Sequence, residues 1–363
     1  MAQAPDIPPP ASQVGLLGWA RKNLFSTWYN GLLTVILAYV LVRLLIPFVD
    51  WSIIDAHFAG TSEADCKRGA ACWVFVSQRL EFFIYGFYPA AEVWRANIVF
   101  AMIAFCFVPQ MIPRLRGRKW LLILGFTVLP VAGFILIRGG LFGLAAIPTD
   151  KWGGLMLTLV LAYAGMVASL PIGILLALGR RSAMPVIRSL SVAFIELWRG
   201  VPLITVLFMA SVMIPLFLPH GVNFDKLLRV FIGISCFWGA YMAEIVRGGL
   251  QAIPRGQYEA AEALGLNYWK KMVLIILPQA LKTVIPGIVN TLIALFKDTT
   301  LVLIIGLFDI LGTIQSTISD PAWGDVTTEA YLFVAAIFFL FCFGLSAYSR
   351  NLERKLRAGR DNA

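Results

Sequence analysis

Long apolar runs recur along the whole chain, and short stretches between them carry most of the charged residues. A helix rises about 1.5 Å per residue, so roughly 20 apolar residues span the hydrocarbon core of a bilayer. Runs of about that length lie at 28–48, 95–112, 120–138, 154–179, 200–218, 227–248, 272–296 and 330–349. The pattern predicts an all-α polytopic membrane protein with about eight transmembrane helices.

Two shorter apolar stretches do not reach this length. LVLIIGLFDILG begins at Leu301, and EFFIYGFYP covers residues 81–89. Neither is long enough to cross a bilayer as a helix. We therefore expect a partial helix from Leu301 and an interfacial segment over residues 81–89.

The composition separates this chain from soluble domains. It is 59% apolar and only 14% charged, with a mean hydropathy of +0.80. A soluble domain carries about 25% charged residues. The composition therefore excludes an ordinary soluble α/β protein.

Lysine and arginine indicate the orientation in the membrane. Basic clusters alternate onto one side of the predicted spans and carry most of the net charge of +10, at 21–22, 114–119, 179–182, 255–271 and in the C-terminal tail. Cytoplasmic loops carry such an excess. We therefore place this side and both termini in the cytoplasm. Topology and headgroup contact account for the clusters, so no nucleic-acid partner is expected.

The chain is expected to divide near residue 150. A cytoplasmic tail (1–27) would precede a region of three spans (28–150) with an external loop at about 50–94. A core of five spans (151–350) and a second cytoplasmic tail (351–363) would follow. The glycine-rich connector that starts at Gly139 is typical of a hinge between the two regions.

Two cysteines, Cys66 and Cys72, fall in the external loop. An oxidising compartment favours a disulfide between them, and two free thiols are the alternative. His57 is the only histidine near these cysteines, so we expect no metal site there.

Catalytic signatures are missing from the sequence. No GxxxxGK[ST] segment is present to cradle a nucleotide phosphate, and no nucleophile has a histidine beside it. We therefore expect a protein that is not an enzyme and holds no cofactor of its own.

A short polar segment between the sixth and seventh apolar runs is unusual in so hydrophobic a chain. Residues 254–268 combine a proline, an Ala/Glu-rich stretch of good helix formers and a glycine stop at Gly265. An ordinary amphipathic loop helix would carry bulky apolar residues on one face, but alanines occupy the centre of this segment. We expect a short cytoplasmic helix that another protein can approach closely.

The same segment resembles the EAA signature of the membrane subunits of bacterial ABC importers. The matching residues, at the family's spacing, are Glu259, Ala260, Ala261, Gly265, Ile275, Leu277 and Pro278. In that family this loop is the coupling helix, which docks in a cleft of the ATP-hydrolysing subunit. The resemblance implies that Glu259, Ala260, Ala261, Gly265 and Leu266 couple this chain to an ATPase.

Three further stretches resemble the polar amino acid (histidine/glutamine/arginine) permeases: ELWRGVPL from Glu196, AYMAEIVRGG from Ala240 and LFKDTTL from Leu295. The resemblance implies a type I importer core of five spans. The three extra N-terminal spans resemble the larger permeases of general L-amino acid transport systems. The implied function is broad-specificity uptake of L-amino acids from the periplasm across the bacterial inner membrane.

The resemblance also implies partners. They are cytoplasmic ATPase subunits in two copies that bind ATP and Mg, a second homologous permease, and a periplasmic amino-acid-binding protein. A heterodimer of permeases is favoured over a homodimer. An importer of another small polar solute, such as an opine, is the alternative cargo. A secondary transporter would need a repeated half and buried acids for ion coupling, which the sequence does not display.

The candidate substrate pathway comprises Glu244, Asn290, Lys297, Asp298 and Thr299. Ionisable residues inside a membrane are costly and usually face a cavity or a partner. Glu244 either pairs with Arg247 at i+3 or binds the amino group of a substrate. Residues 297–300 either anchor and cap a helix end or form a helix break beside the pathway.

Overall fold

The structure is a computed structural model that describes residues 15–66, 69–112, 115, 117–217, 219, 224–318, 320–323 and 325–361. Helices account for nearly all the regular structure in these ranges, and they contain no β-strand beyond isolated bridges. Residues 1–14 of the expected N-terminal tail lie outside the described part of the chain. The chain folds into two compact units, Met1–Ser77 and Gln78–Ala363.

The first unit contains two helices, α1 (Gly15–Asn23) and α2 (Trp28–Val49). The Thr27 side chain caps α2 by accepting a hydrogen bond from the amide of Asn30. A π-helical turn, Asp50–Ile54, extends α2, and the whole stretch is long and apolar enough to cross a membrane. A third helix, α3 (Trp73–Tyr85), begins in this unit and ends in the next.

The second unit holds the remaining helices. Their bounds are α4 Val93–Phe107, α5 Arg118–Arg138, α6 Gly154–Arg180, α7 Pro185–Gly200, α8 Leu203–Phe208, α9 Ile214–Phe217, α10 Lys226–Gln251, α11 Arg255–Ala263, α12 Tyr268–Lys271, α13 Leu277–Asp298, α14 Ile310–Thr317 and α15 Thr327–Asp361. At its centre α6 packs along α10, α13 packs against both of these helices, and α15 packs on α13. A Cβ on Gly173 of α6 would lie 2.6 Å from the Cβ of Met242 on α10. Only a residue without a side chain permits this approach.

The number of spans agrees with the sequence pattern. In the described ranges, seven helical stretches are long and apolar enough to cross a membrane, and there are eight if a bent helix pair counts as one span. This confirms an all-α membrane protein of about eight spans.

The bent pair corrects the expected span at 200–218. The chain forms α7, then turns by 103° into the stretch Leu203–Phe217. The turn falls at Val201, which is extended (φ −112°, ψ 136°) because the following Pro202 disfavours the helical region. The pattern of apolar runs does not predict α7, because its apolar residues follow helical periodicity on one face only and form no continuous run.

A second correction concerns the seventh span. The expected helix at 272–296 lies in a longer helical stretch, Tyr268–Ile305, which includes only the first five residues of the partial helix expected from Leu301. A π-helical turn, Met272–Ile276, precedes Pro278, whose ring would otherwise clash with the backbone one turn earlier. A 3-10 segment, Thr299–Ile305, prolongs α13.

The division of the chain also differs from the expected boundary near residue 150. Tyr88, Ala96 and Ile137 belong to the same apolar cluster as Trp152 and Leu161 of the expected core. The helices α4 and α5 are therefore part of the second compact unit. At the other end α15 continues to Asp361, so the expected tail from residue 351 is helical over the described residues.

Candidate functional site

The helix α11 lies within the segment expected at 254–268, but it is shorter. Pro254 precedes it as the N-cap residue, and it ends at Ala263. At its C-terminus the amide of Gly265 donates to the Glu262 carbonyl (2.9 Å), and the amide of Leu266 donates to the Ala261 carbonyl (3.2 Å). These two bonds form a Schellman motif, in which the residue after the cap takes a left-handed conformation.

Gly265 supplies that conformation, with φ at +69°. The spacing between Ala261 and Gly265 therefore has a local explanation, because it places a glycine where the helix must turn. Apart from its two chain neighbours, no described residue has an atom within 4 Å of the position that a Cβ on Gly265 would occupy. Within this chain, the demand at Gly265 is therefore conformational and not steric.

The exposed surface of α11 is made by part of the expected coupling set. Glu259, Ala260 and Gly265 are exposed, and Leu266 is half-buried. Ala261 is only 1% exposed, so within this chain it faces inward, and its part in coupling stays a prediction. Its methyl group packs inside this chain, because that face of α11 lies against the segment Met272–Ile276.

Side chains join α11 to several other helices. The Tyr258 hydroxyl lies 3.1 Å from the Leu250 carbonyl at the end of α10. The side-chain amide of Gln279 on α13 donates a hydrogen bond to the side-chain oxygen of Gln257 at 3.0 Å. Lys271 of α12 forms an ion pair with Glu262. The arrangement gives a short exposed helix that is fixed to the membrane helices on both sides.

Glu244 belongs to a charge cluster near this end of the bundle. One of its carboxylate oxygens accepts a hydrogen bond from Arg180 of α6 at 2.8 Å, and the other accepts from Arg247 at 2.7 Å. Arg180 also contacts Glu196 of α7 at 3.1 Å. Both oxygens of Glu244 are therefore occupied by arginines. This geometry favours the ion pair over capture of a substrate amino group.

The other expected pathway residues lie elsewhere. Lys297 and Asp298 end α13, whose 22 residues extend about 33 Å from the end nearest α11. The buried Thr299 donates to the Phe296 carbonyl at 2.8 Å and so serves the helix itself. Asn290 is exposed on α13. The structure does not bring these residues and Glu244 into one site, and at Asp298 the α-helix passes into a 3-10 segment without leaving the helical stretch.

Asp309 is a buried acidic residue that the sequence pattern did not single out. Its side chain is fully buried and caps α14, with Oδ1 accepting from the Gly312 amide at 2.9 Å. Among the described residues Oδ2 has no hydrogen-bond partner. Burial raises the pKa of Asp309 to about 7, against the opposing effect of the amides of Gly312 and Leu311. An aspartate before an apolar run is a capping signal that could have identified it.

The raised pKa predicts how stability depends on pH. A carboxyl whose pKa is higher in the folded state contributes most below its unfolded value near 4, and this contribution is lost as the pH rises towards 7. We expect the thermal stability of the purified chain in nanodiscs to fall between about pH 4 and pH 7 and to level off above that. Asp309→Asn should flatten this slope and keep the cap, whereas Asp150→Asn, at an exposed carboxylate, should not change it. An unchanged slope in Asp309→Asn would contradict the assignment.

The loop of the first unit contains both cysteines of interest. A disulfide joins Cys66 and Cys72, with their Cα atoms 5.6 Å apart. The Trp73 indole donates to the Ser52 carbonyl at 2.8 Å. Hydrogen bonds from the amides of Thr61 and Ser62 hold the pKa of Asp65 below its usual value. No cluster of potential metal ligands occurs among the described residues.

Comparison with known proteins gives consistent matches. The family model for binding-protein-dependent transport system inner membrane components matches residues 169–358. The inner membrane amino-acid ABC transporter permease protein YhdY of Escherichia coli K12 is 51% identical over 342 residues, which cover 94% of this chain and 93% of YhdY. The glutamate/glutamine/aspartate/asparagine transport system permease protein BztC of Rhodobacter capsulatus is 42% identical, with 96% of each chain covered. A crystal structure of an amino acid ABC transporter with histidines is 29% identical, with a TM-score of 0.49 over 56% of this chain and 92% of that chain.

Proposed function

The chain belongs to the family of binding-protein-dependent transport system inner membrane components, and we propose that α11 is the coupling helix through which it responds to ATP. It is a multi-pass permease subunit of an amino-acid ABC importer in the inner membrane. It is not itself an enzyme. As in other ABC importers, ATP hydrolysis belongs to separate ATPase subunits and substrate capture to a binding protein.

The observation that carries the proposal is the exposed surface of α11. Glu259 and Ala260 face outward, and Leu264 beside them is 74% exposed although it is apolar. A charged and an apolar group beside small residues suit a cleft on another protein that receives a short helix. Ala261 acts from the inner side by holding α11 on its own bundle, and Gly265 and Leu266 form the helix end.

The assembly around this subunit follows from the same proposal. Two ATPase subunits bind ATP and Mg, and each coupling helix docks on one of them. Since one chain supplies one coupling helix, a second homologous permease completes the pair, and we favour a heterodimer. Closure of the ATPases on ATP draws the two coupling helices together, and the attached bundles then expose the pathway to the other side.

For the cargo we propose L-amino acids of several types. BztC is named as a glutamate, glutamine, aspartate and asparagine permease, and YhdY as an amino-acid permease. Of the expected pathway residues, the exposed Asn290 and Lys297 remain candidates to line a pathway shared with the second permease. Asp298 is half-buried at the same end of α13 and remains a third candidate.

We also propose an orientation. Eight spans place both termini on one side, together with α11 and the basic clusters, and this side is the cytoplasm. The loop that contains Cys66 and Cys72 then faces the periplasm, where disulfides persist.

The experiment that tests the proposal measures uptake by the reconstituted complex in proteoliposomes with ATP and the binding protein present. Glu259→Arg should lower amino-acid uptake at least tenfold, because it reverses a charge at the docking surface while arginine retains helix propensity. Glu81→Arg, at an exposed glutamate of α3, is the matched control and should have little effect. Uptake within twofold of wild type in Glu259→Arg would overturn the coupling-helix proposal. Stimulation by an opine but by no L-amino acid would overturn the cargo.

A further inference from the structure

Two consecutive arginines at the end of α6 extend to different parts of the molecule. Arg180 is the last residue of α6, and Arg181 is its C-cap. We propose that this pair, the Arg180–Arg181 joint, transmits displacement of α11 into the membrane bundle. The proposal rests on the proposed function, because it assumes that the ATPases move α11. It assigns a positioning role to two residues that the EAA segment does not include.

Arg181 forms the attachment to α11. Its Nη1 donates to the Tyr258 hydroxyl at 3.1 Å and to the Leu250 carbonyl at 3.0 Å. Its guanidinium also lies over the Tyr258 ring, 5.6 Å from the ring centroid. The Tyr258 hydroxyl in turn contacts the Leu250 carbonyl, so the end of α6, the end of α10 and α11 meet at one point.

Arg180 forms the attachment to the bundle. It bridges Glu244 of α10 and Glu196 of α7 at 2.8 and 3.1 Å. Because Arg180 and Arg181 are adjacent on one backbone, a force on the Arg181 side chain acts directly on the residue that ties α7 and α10 together. The joint therefore links α11 to the three helices that meet at this end of the bundle.

Chain connectivity explains why α6 needs such a contact. The helices α10 and α12 flank α11 in sequence, so the backbone itself passes displacement to them. By contrast, Arg181 at the end of α6 lies 77 residues before Tyr258, the residue that it contacts. Within the described residues, Arg181 is the side chain that donates a hydrogen bond from the end of α6 to α11.

An arginine at this membrane face has a simpler alternative role, which is contact with lipid headgroups. Arg188 on α7 provides a matched control, because it is an exposed arginine close by in sequence with no side-chain partner within the part of the chain that the structure describes. A headgroup role predicts similar effects for the loss of Arg181 and of Arg188. A joint predicts an effect for Arg181 alone.

The test uses the complete transporter in proteoliposomes and measures amino acid transported per ATP hydrolysed. We expect Arg181→Ala to lower this ratio at least fivefold. The yield of assembled complex and the rate of ATP hydrolysis should stay within twofold of wild type, and the unfolding temperature should not change. Tyr258→Phe, which keeps the ring and removes the hydroxyl, should lower the ratio about twofold. Arg188→Ala should leave it unchanged.

An unchanged ratio in Arg181→Ala, or an equal loss in Arg188→Ala, would overturn the joint. Loss of assembly in Arg181→Ala with a normal ratio in the complexes that do form would also overturn it, because the residue would then be structural. The Glu259→Arg result separates this proposal from the coupling-helix proposal. If Glu259→Arg abolishes uptake and Arg181→Ala has no effect, only the joint fails.

Discussion

Replacing Glu244 with leucine should destabilise the bundle more than any other single change in the charge cluster. The substitution leaves Arg180 and Arg247 without the carboxylate that each contacts within 3 Å. Removing one member of a buried ion pair costs about 3–5 kcal/mol, and an exposed pair is worth at most about 1 kcal/mol. The Glu244 side chain is 17% exposed, so we expect a loss of about 2–3 kcal/mol, measured by thermal or denaturant unfolding in nanodiscs.

A matched replacement in the same cluster sharpens this prediction. Glu196 also contacts Arg180, but its side chain is 58% exposed, so Glu196→Leu should cost less than about 1 kcal/mol. Equal losses in the two variants would contradict the assignment of Glu244 as the centre of the cluster.

Glu244→Gln distinguishes the structural role from a role in substrate binding. An amide keeps the shape of the side chain and removes its charge. If Glu244 held a substrate amino group, this variant would raise the KM for uptake strongly and leave stability near that of wild type. We expect the opposite pattern, with reduced stability and little change in KM for the fraction of complexes that remain folded.

The membrane architecture could be predicted from the sequence because lipid imposes a simple rule on it. Each span must be a helix with enough apolar residues, and such runs are visible without knowledge of packing. The rule fails for α7, whose polar face interrupts the apolar run. It also fails at Lys297 and Asp298, where charged residues looked like the end of a span but the helix continues to Ile305.

The site was predictable only where local chemistry determines it. The helix formers before Gly265 indicate a short helix and its stop, and the structure has both. The burial of Ala261 depends on which face of α11 meets the segment Met272–Ile276, and this is set by tertiary packing. Arg180 lies 64 residues from Glu244, so its contact has no periodic signal. Only Arg247, at i+3, could be anticipated.

Gly265→Val should lower coupled uptake by the reconstituted transporter at least tenfold. The left-handed conformation at φ +69° costs an ordinary side chain about 1–2 kcal/mol, and a β-branched one more. The helix end would therefore lose the hydrogen bonds to the carbonyls of Ala261 and Glu262. Gly256→Val is the control, because Gly256 lies on the same helix with open space around it and no positive φ.

Gly265→Asn tests whether conformation alone explains the glycine. Asparagine tolerates the left-handed region better than other side chains, and beyond the two flanking residues the described part of the chain has no atom within 4 Å of the added Cβ. We therefore expect uptake to recover to within about threefold of wild type, with the complex fully assembled. If asparagine were as defective as valine while the permease kept its stability, the glycine would be required by the ATPase surface. The spacing of the EAA segment would then reflect the shape of the partner and not only the geometry of a helix end.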